Sequence, residues 1–186
     1  METISYQDVN RHVIDKCREG DNRAQYELYK LYSKAMFNVS MRITNDYSEA
    51  EDVLQEAFIS AFKNLHTYKG EASFGSWLKK IVVNAAINAI RKRKSELVPM
   101  DERTIGDIPD ETYEDDSEWK VDKVRKAIMQ LPDGYRVVLS LYLLEGFDHA
   151  EIGEILGITE STSKSQYSRA KKKLLEIMRE PQFVAW

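Results

Sequence analysis

Apolar residues recur along most of this chain at steps of three and four, the repeat of one face of an α-helix, and short polar clusters interrupt that repeat. A first helix is predicted from about Tyr6 to Glu19, stopped by Gly20. Asp21 or Asn22 then caps a longer one, in which Ala24, Leu28, Leu31, Met36, Val39 and Ile43, with Tyr26, Tyr29, Tyr32 and Phe37, read as core up to the break at Asn45 and Asp46. Ser48 and Glu51 spell a capping box for a third helix, with Ala50, Val53, Leu54, Ala57, Phe58, Ala61, Phe62 and Leu65 along one face. After a polar loop from His66 to Ala72, Ser73 caps a fourth helix reaching about Lys94, in which Phe74, Trp77, Leu78, Ile81, Val82, Ala85 and Ala89 face inward.

The pattern resumes further on. Trp119, Val121, Val124, Ile128 and Leu131 make one helix, Pro132 opens the next at its first turn, and Val137 to Leu144 fill a core. From Asp148 the chain reads as a helix-turn-helix. Asp148 and Glu151 form a capping box, and Ile152, Ile155 and Leu156 share a face. Gly157 supplies the left-handed residue that ends the short helix, Ile158 packs back, and Thr159 caps the second helix with Glu160 in its first turn.

Between the two helical stretches, Asp101 to Glu118 carries nine acidic residues and one basic one, with Gly106 and Pro109 and few apolar groups. Such a segment cannot bury enough surface to offset chain entropy, which predicts a flexible acidic linker. The expected plan is all-α: a helical domain over 1–95, the linker over 96–117, and a second small helical domain over 118–186 that contains the helix-turn-helix. Only 8 glycines and 4 prolines punctuate the chain, which agrees with helices throughout.

Composition narrows the chemistry. Cys17 is alone, and His12, His66 and His149 are far apart in sequence, so neither an internal disulfide nor a metal site is expected, and no cofactor is implied. The N-terminus lacks a basic start followed by an apolar run, and no stretch approaches the ~18 apolar residues of a membrane span, so a soluble cytoplasmic protein is expected. No phosphate loop, nucleophile elbow or metal-ligand spacing points to an enzyme or to a small-molecule substrate.

Three polar surfaces stand out instead. The outer face of the third helix presents Glu49, Asp52, Gln55, Glu56 and Ser60, an acidic ridge with little cation to balance it. On the fourth helix, Lys80, Asn84, Asn88 and Arg91 fall at steps of four and three and run into the basic end Arg91 to Lys94, a pattern suited to backbone and base-edge contacts. The loop before it holds Tyr68 and Lys69, which suit stacking on unpaired bases. In the second helix of the helix-turn-helix, Ser161, Thr162, Lys164, Ser165 and Gln166 occupy the end that reaches base edges, and Arg169 with Lys171 to Lys173 follow as phosphate contacts. Yet the net charge is −4, odd for a chain that grips DNA unaided. A protein that meets DNA when something else holds it there is expected. The turn by itself also fits an αα-corner of a helical domain, a reading the basic helix weakens, and the segment alone does not exclude a stand-alone helix-turn-helix regulator.

Taken together, SEAEDVLQEAFISAFKNL, YKGEASFGSWLKKIVVNAAINAIRKRK and LPDGYRVVLSLYLLEGFDHAEIGEILGITESTSKSQYSRAKKKL, in that order and on either side of a linker, resemble the extracytoplasmic-function group of bacterial RNA polymerase sigma factors. The resemblance covers nearly all of residues 20–175. It implies two helical domains that bind core RNA polymerase, through its beta-prime clamp helices and beta flap, and that read the minus-ten and minus-thirty-five promoter elements. By position, Asp52, Gln55 and Glu56 look like the surface that docks the clamp helices. The loop Tyr68, Lys69, Gly70, Glu71 and Ser73 looks like the part that captures a base flipped from the non-template strand, and Trp77, Lys80, Asn84, Asn88 and Arg91 like the helix that opens and holds minus-ten DNA. Ser161, Thr162, Lys164, Ser165, Gln166, Arg169 and Lys172 correspond to the minus-thirty-five reader. An anti-sigma factor is a partner implied by the same resemblance.

The chain departs from the family's usual pattern at Ser163, where an aliphatic residue is usual, at Gln166, where Arg is usual, and at Asn88, where Asp is common. Ser163 is expected to weaken packing of the helix-turn-helix, and Gln166 to shift base preference from guanine toward adenine. A stand-alone helix-turn-helix regulator, the alternative, leaves the acidic ridge and the Lys80–Arg91 stripe without a purpose.

Overall fold

The computed structural model describes residues 10–96 and 121–180, with the side chains of 94–96 left aside, and every regular element among the described residues is helical. The expected linker beyond Glu96, the helical starts expected at Tyr6 and Trp119, and the C-terminal tail lie outside the described residues. The chain divides into two compact units, residues 1–92 and 93–186.

In the first unit, α1 (Arg11–Arg18) ends at Gly20, whose φ of +86° is the left-handed conformation that glycine adopts freely. Asp21 then accepts from the backbone N–H groups of Arg23 (2.7 Å) and Ala24 (3.3 Å) and starts α2 (Asn22–Thr44). Left-handed Asn45 closes α2, and α3 (Tyr47–Lys63) follows after one more residue. Its cap is Asp46, which accepts from Glu49 N at 2.8 Å, and not the expected Ser48. The αL residue at 45 leaves Asp46 extended at the N-cap, so Ser48 already lies inside the first turn.

A 3-10 turn (Leu65–Thr67) and the loop that follows lead into α4 (Phe74–Glu96). Val13, Leu28, Val39, Ile43, Ala57, Phe74, Leu78 and Val82 fill the core of this unit. Two buried hydroxyls are satisfied within it: Ser40 Oγ donates to Ala50 O and Thr44 Oγ1 to Ser40 O, each at 3.1 Å. Cys17 is buried as well, and desolvation, aided by Asp21 and Glu27, pushes its thiol up to about 11, so it remains a protonated packing group at neutral pH.

Two expectations about this core are corrected. Tyr26, Tyr29 and Leu31 of α2 are exposed, because α2 is covered on the side of Leu28, Met36 and Val39. On α4 the buried residues are Phe74, Leu78, Val82, Val83, Ala86, Ile87 and Ile90, whereas Trp77, Ile81, Ala85 and Ala89 are half-buried. The helix carries apolar residues around more than half its circumference, and the face bearing the branched Val83, Ile87 and Ile90 is the one that goes inside.

The second unit holds α5 (Val121–Met129), α6 (Asp133–Leu143), α7 (His149–Leu156) and α8 (Glu160–Met178). Ala127, Ile128, Leu131, Leu139, Ala170, Ile177 and Met178 form its main cluster, so α8 lies against both α5 and α6. Pro132 is the N-cap of α6 and not its first residue. Arg136, 1% exposed, donates to Leu131 O at 3.1 Å and to Asp133 Oδ1 at 2.7 Å, which fastens the corner between α5 and α6 and leaves its charge paired. Core packing stops at Leu141: Tyr142, Leu143 and Leu144, expected inside, are exposed where α6 ends, as is Val121 at the start of α5. Among the described residues no helix is long and apolar enough to cross a membrane.

Candidate nucleic-acid interface

The caps and the turn of the helix-turn-helix are held by contacts between near neighbours in sequence. Asp148 Oδ1 accepts from Glu151 N at 2.8 Å while Asp148 N donates to Glu151 Oε2 at 3.0 Å, both halves of the capping box. Gly157 takes φ +71°, and Ile158 N donates back to Gly153 O at 3.0 Å. That folds the turn onto α7 so tightly that a Cβ at Gly153 would sit 2.8 Å from Ile158 O. Thr159 Oγ1 accepts from Thr162 N at 3.0 Å and begins α8.

On α8, Ser161, Thr162, Ser165, Gln166, Arg169 and Lys172 fall within an arc of about 140°, with the buried Ala170 and Ser163 beyond its Gln166 edge, at about 100° per residue. Ser161, Thr162 and Lys172 are exposed, and Ser165, Gln166 and Arg169 are half-buried. Lys164, also exposed, lies at the margin of that face and pairs with Glu160 at 2.7 Å. This bond and the neighbouring carboxylate raise its ammonium pKa, so the side chain is a cation throughout the neutral range. In the basic run, Lys171 lies over the Tyr167 ring at 5.1 Å and Lys173 pairs with Glu176 at 3.0 Å.

Ser163, expected to weaken packing here, has a partner the sequence did not suggest. It is fully buried, but its Oγ lies 2.9 Å from Nδ1 of His149 in a hydrogen bond between the two helices. The His149 ring stacks on Tyr142 (4.4 Å, 13°), and Tyr167 closes against both rings at 4.6 and 5.5 Å. The hydroxyl therefore ties α8 to α7 at the site where an aliphatic residue is usual. Only the spacing of fourteen residues between a His and a Ser records this in the sequence, which is no signal.

In the first unit the loop and α4 form a second polar surface. Lys80, Asn84, Asn88 and Arg91 are all exposed, and half-buried Trp77 stands at the head of the same stripe, three residues before Lys80. Ser73 Oγ accepts from Ser76 N at 3.1 Å and caps the helix. Lys69 and Glu71 are exposed, and Gly70 turns the loop with φ +78°. Tyr68 does not offer a ring face to solvent: it is 6% exposed, packed at 5.6 Å on Phe74 and 5.5 Å on Trp77, with its hydroxyl donating to Ala72 O at 2.8 Å. Burial of the ring is worth more than its exposure in a loop already floored by two aromatic side chains. Tyr68 thus shapes the loop, and the outward groups are Lys69 and Glu71.

On α3, Asp52, Gln55 and Glu56 are exposed on one stripe, as expected. Their apolar companion, not among the expected residues, is Ile59, 55% exposed on the same stripe and legible in the sequence as an isoleucine on a polar face. Beside it, Tyr29, Phe37, Tyr47 and Leu54 line a groove of about 280 Å³ between α2 and α3, edged by Glu51 and Gln55. The Tyr47 hydroxyl is hydrogen-bonded to Glu51, and that bond, with the carboxylate charge, holds its pKa above the ordinary phenol value.

Two family models match the chain: sigma-70 region 2 over residues 28–96 and sigma-70 region 4 over residues 122–174. The extracytoplasmic-function RNA polymerase sigma factor SigM of Bacillus subtilis is 31% identical over 150 residues, covering 80% of this chain and 91% of that protein. SigW of the same organism is 28% identical over 179 residues, covering 90% and 95%. Among solved structures, the sigma factor RpoE of Bartonella quintana, crystallised with the anti-sigma factor NepR, superposes with a TM-score of 0.57 at 22% identity, covering 84% of this chain and 97% of that one, a likeness of fold.

Proposed function

The chain belongs to the extracytoplasmic-function group of the sigma-70 family of transcription initiation factors, and on that premise we propose that it binds core RNA polymerase in the cytoplasm, directs it to specific promoters and helps to melt them. It would do so without chemistry of its own and without a cofactor. The observation that carries the reading is that the Trp77–Arg91 stripe with its loop falls within region 2 and the exposed face of α8 within region 4.

Each surface then has a physical task. Asp52, Gln55 and Glu56, with Ile59 as an apolar anchor among them, dock the beta-prime clamp helices, an acidic stripe presented to a partner of opposite charge. Lys69, Gly70, Glu71 and Ser73 receive a base flipped from the non-template strand. Lys80, Asn84, Asn88 and Arg91 hold the opened minus-ten segment, and Trp77 borders it. Unstacking a base costs a few kcal/mol, which is recovered when a preformed pocket and a polar stripe receive the strand. Ser161, Thr162, Lys164, Ser165 and Gln166 read the minus-thirty-five element in the major groove while Arg169 and Lys172 hold phosphates.

The beta flap is the second contact on polymerase. The relative crystallised with NepR supports an anti-sigma factor as a further partner. A net charge of −4 keeps the free chain from gripping DNA, and docking covers the acidic ridge while presenting both readers, so two weak contacts act together.

The test is Asp52→Lys combined with Glu56→Lys. Both side chains are exposed, so the thermal midpoint should stay near that of the parent while capture of core polymerase is lost. Undiminished binding to core enzyme by the folded double variant would overturn the docking assignment.

A further inference from the structure

The base-receiving loop is fastened to a part of the chain with no DNA-reading role in the proposal above. Arg18, the last residue of α1, donates from Nη2 to the carbonyl oxygen of Tyr68, fifty residues away in sequence, and its guanidinium lies 5.9 Å over the Tyr68 ring. Its Nη1 pairs with Asp15 at 2.9 Å, an exposed pair that adds little by itself. The bond to the carbonyl is charge-assisted and part-buried, hence the stronger of the two.

Tyr68 in turn reaches across the loop, its hydroxyl donating to Ala72 O at 2.8 Å while its ring is packed against Phe74 and Trp77. One peptide group at the start of the loop and one carbonyl near its end are therefore both held. Lys69, Gly70 and Glu71 form the bow between these two fixed points.

We propose that Arg18 and Tyr68 are a positioning pair, through which α1 sets the shape of the loop that receives the unpaired promoter base. The proposal rests on the reading of that loop given above. A loop that had to order itself on capturing a base would lose that ordering free energy from binding, and discrimination among bases would blur. Arg18 touches no base in this scheme. It acts through the Tyr68 carbonyl, and Tyr68 acts through Ala72.

The experiment uses the full chain bound to core polymerase and measures affinity for single-stranded minus-ten oligonucleotides carrying each base in turn at every position. Arg18→Ala and Tyr68→Phe are compared with Lys69→Ala combined with Glu71→Ala, which alters the receiving surface itself. Tyr68→Phe keeps the ring in its packing and removes only the bond to Ala72. Arg18→Ala and Tyr68→Phe should each flatten the preference at one position by about tenfold, the worth of a hydrogen bond with a charged or buried partner, and leave preferences elsewhere unchanged. Arg18→Lys should recover part of the lost preference, because an ammonium can still donate to the carbonyl.

A role in stability alone would lower the thermal midpoint and weaken all oligonucleotides equally, which overturns the proposal. So does full preference in Tyr68→Phe and Arg18→Ala when the Lys69/Glu71 variant has lost it. If the Lys69/Glu71 variant keeps full preference, the base-receiving role of the loop falls, and the positioning pair with it. Should Arg18→Ala not fold, Tyr68→Phe decides.

Discussion

The loop before α4 and the turn before α8 both lead into a helix with an outward polar face, yet the reach of the contacts that hold them differs. Around the turn, the restraints join residues close in sequence: Asp148 with Glu151, Gly153 with Ile158, Thr159 with Thr162. Around the loop, long-range contacts add to the local ones: Arg18 with Tyr68 and, beneath them, Tyr32 with Phe74 at 5.2 Å. A locally specified connection can form as soon as its own segment does. One that waits for distant partners takes shape with the whole unit, and distant substitutions can deform it.

The largest way to break this contrast is Phe74→Ala. Phe74 is fully buried and touches the rings of Tyr32, Tyr68 and Trp77, so its removal should cost about 3–5 kcal/mol and take the floor from under the loop. Urea unfolding should register the loss, and base preference in the minus-ten element should vanish while that in the minus-thirty-five element persists. The converse change is Gly153→Ala, where a methyl group would meet a backbone oxygen that cannot swing away. Forcing the turn off α7 should cost about 1–3 kcal/mol and weaken minus-thirty-five binding, with minus-ten preference intact.

A finer comparison lies within α8 itself. Gln166→Ala should relax preference at one upstream base pair by about 1–3 kcal/mol. Lys172→Ala should weaken all sequences alike and flatten the salt dependence by about one unit for the lost phosphate contact. Affinities for a library of upstream elements at two salt concentrations separate the two. If Gln166→Ala altered no base preference, the register of the reading face would be wrong.

The same division explains which features are legible in the sequence. Every cap and glycine of the helix-turn-helix is a short-range matter, so Asp148, Glu151, Gly157 and Thr159 were legible residue by residue. The outward stripes at Asp52 to Glu56 and Lys80 to Arg91 were legible too, since helical periodicity alone assigns them to a face. The choice of Asp46 over Ser48 as a cap was not, because it turns on the left-handed residue before it. Neither was the burial of Tyr68, since a tyrosine beside a lysine and a glycine looks like a solvent-facing loop until the rings beneath it are known. The side of α4 that faces inward and the exposure of Leu143 and Leu144 were likewise beyond reach. Each is decided by which neighbouring helix covers the residue, and spacing within one helix carries no information about that. The DNA-reading roles proposed for these residues rest only on the ordered set of segments the family shares.

The bond between Ser163 and His149 bears on how freely this protein's specificity could be transplanted. A copy of α8 with a methyl-bearing side chain at that site, grafted alone, would bring no hydroxyl and would leave Nδ1 of His149, which packs beside Tyr142 and Tyr167, facing a methyl group. The transferable cassette is thus the pair α7 and α8 together, histidine included, and a chimera cut at the turn would inherit a mismatch along with its new promoter.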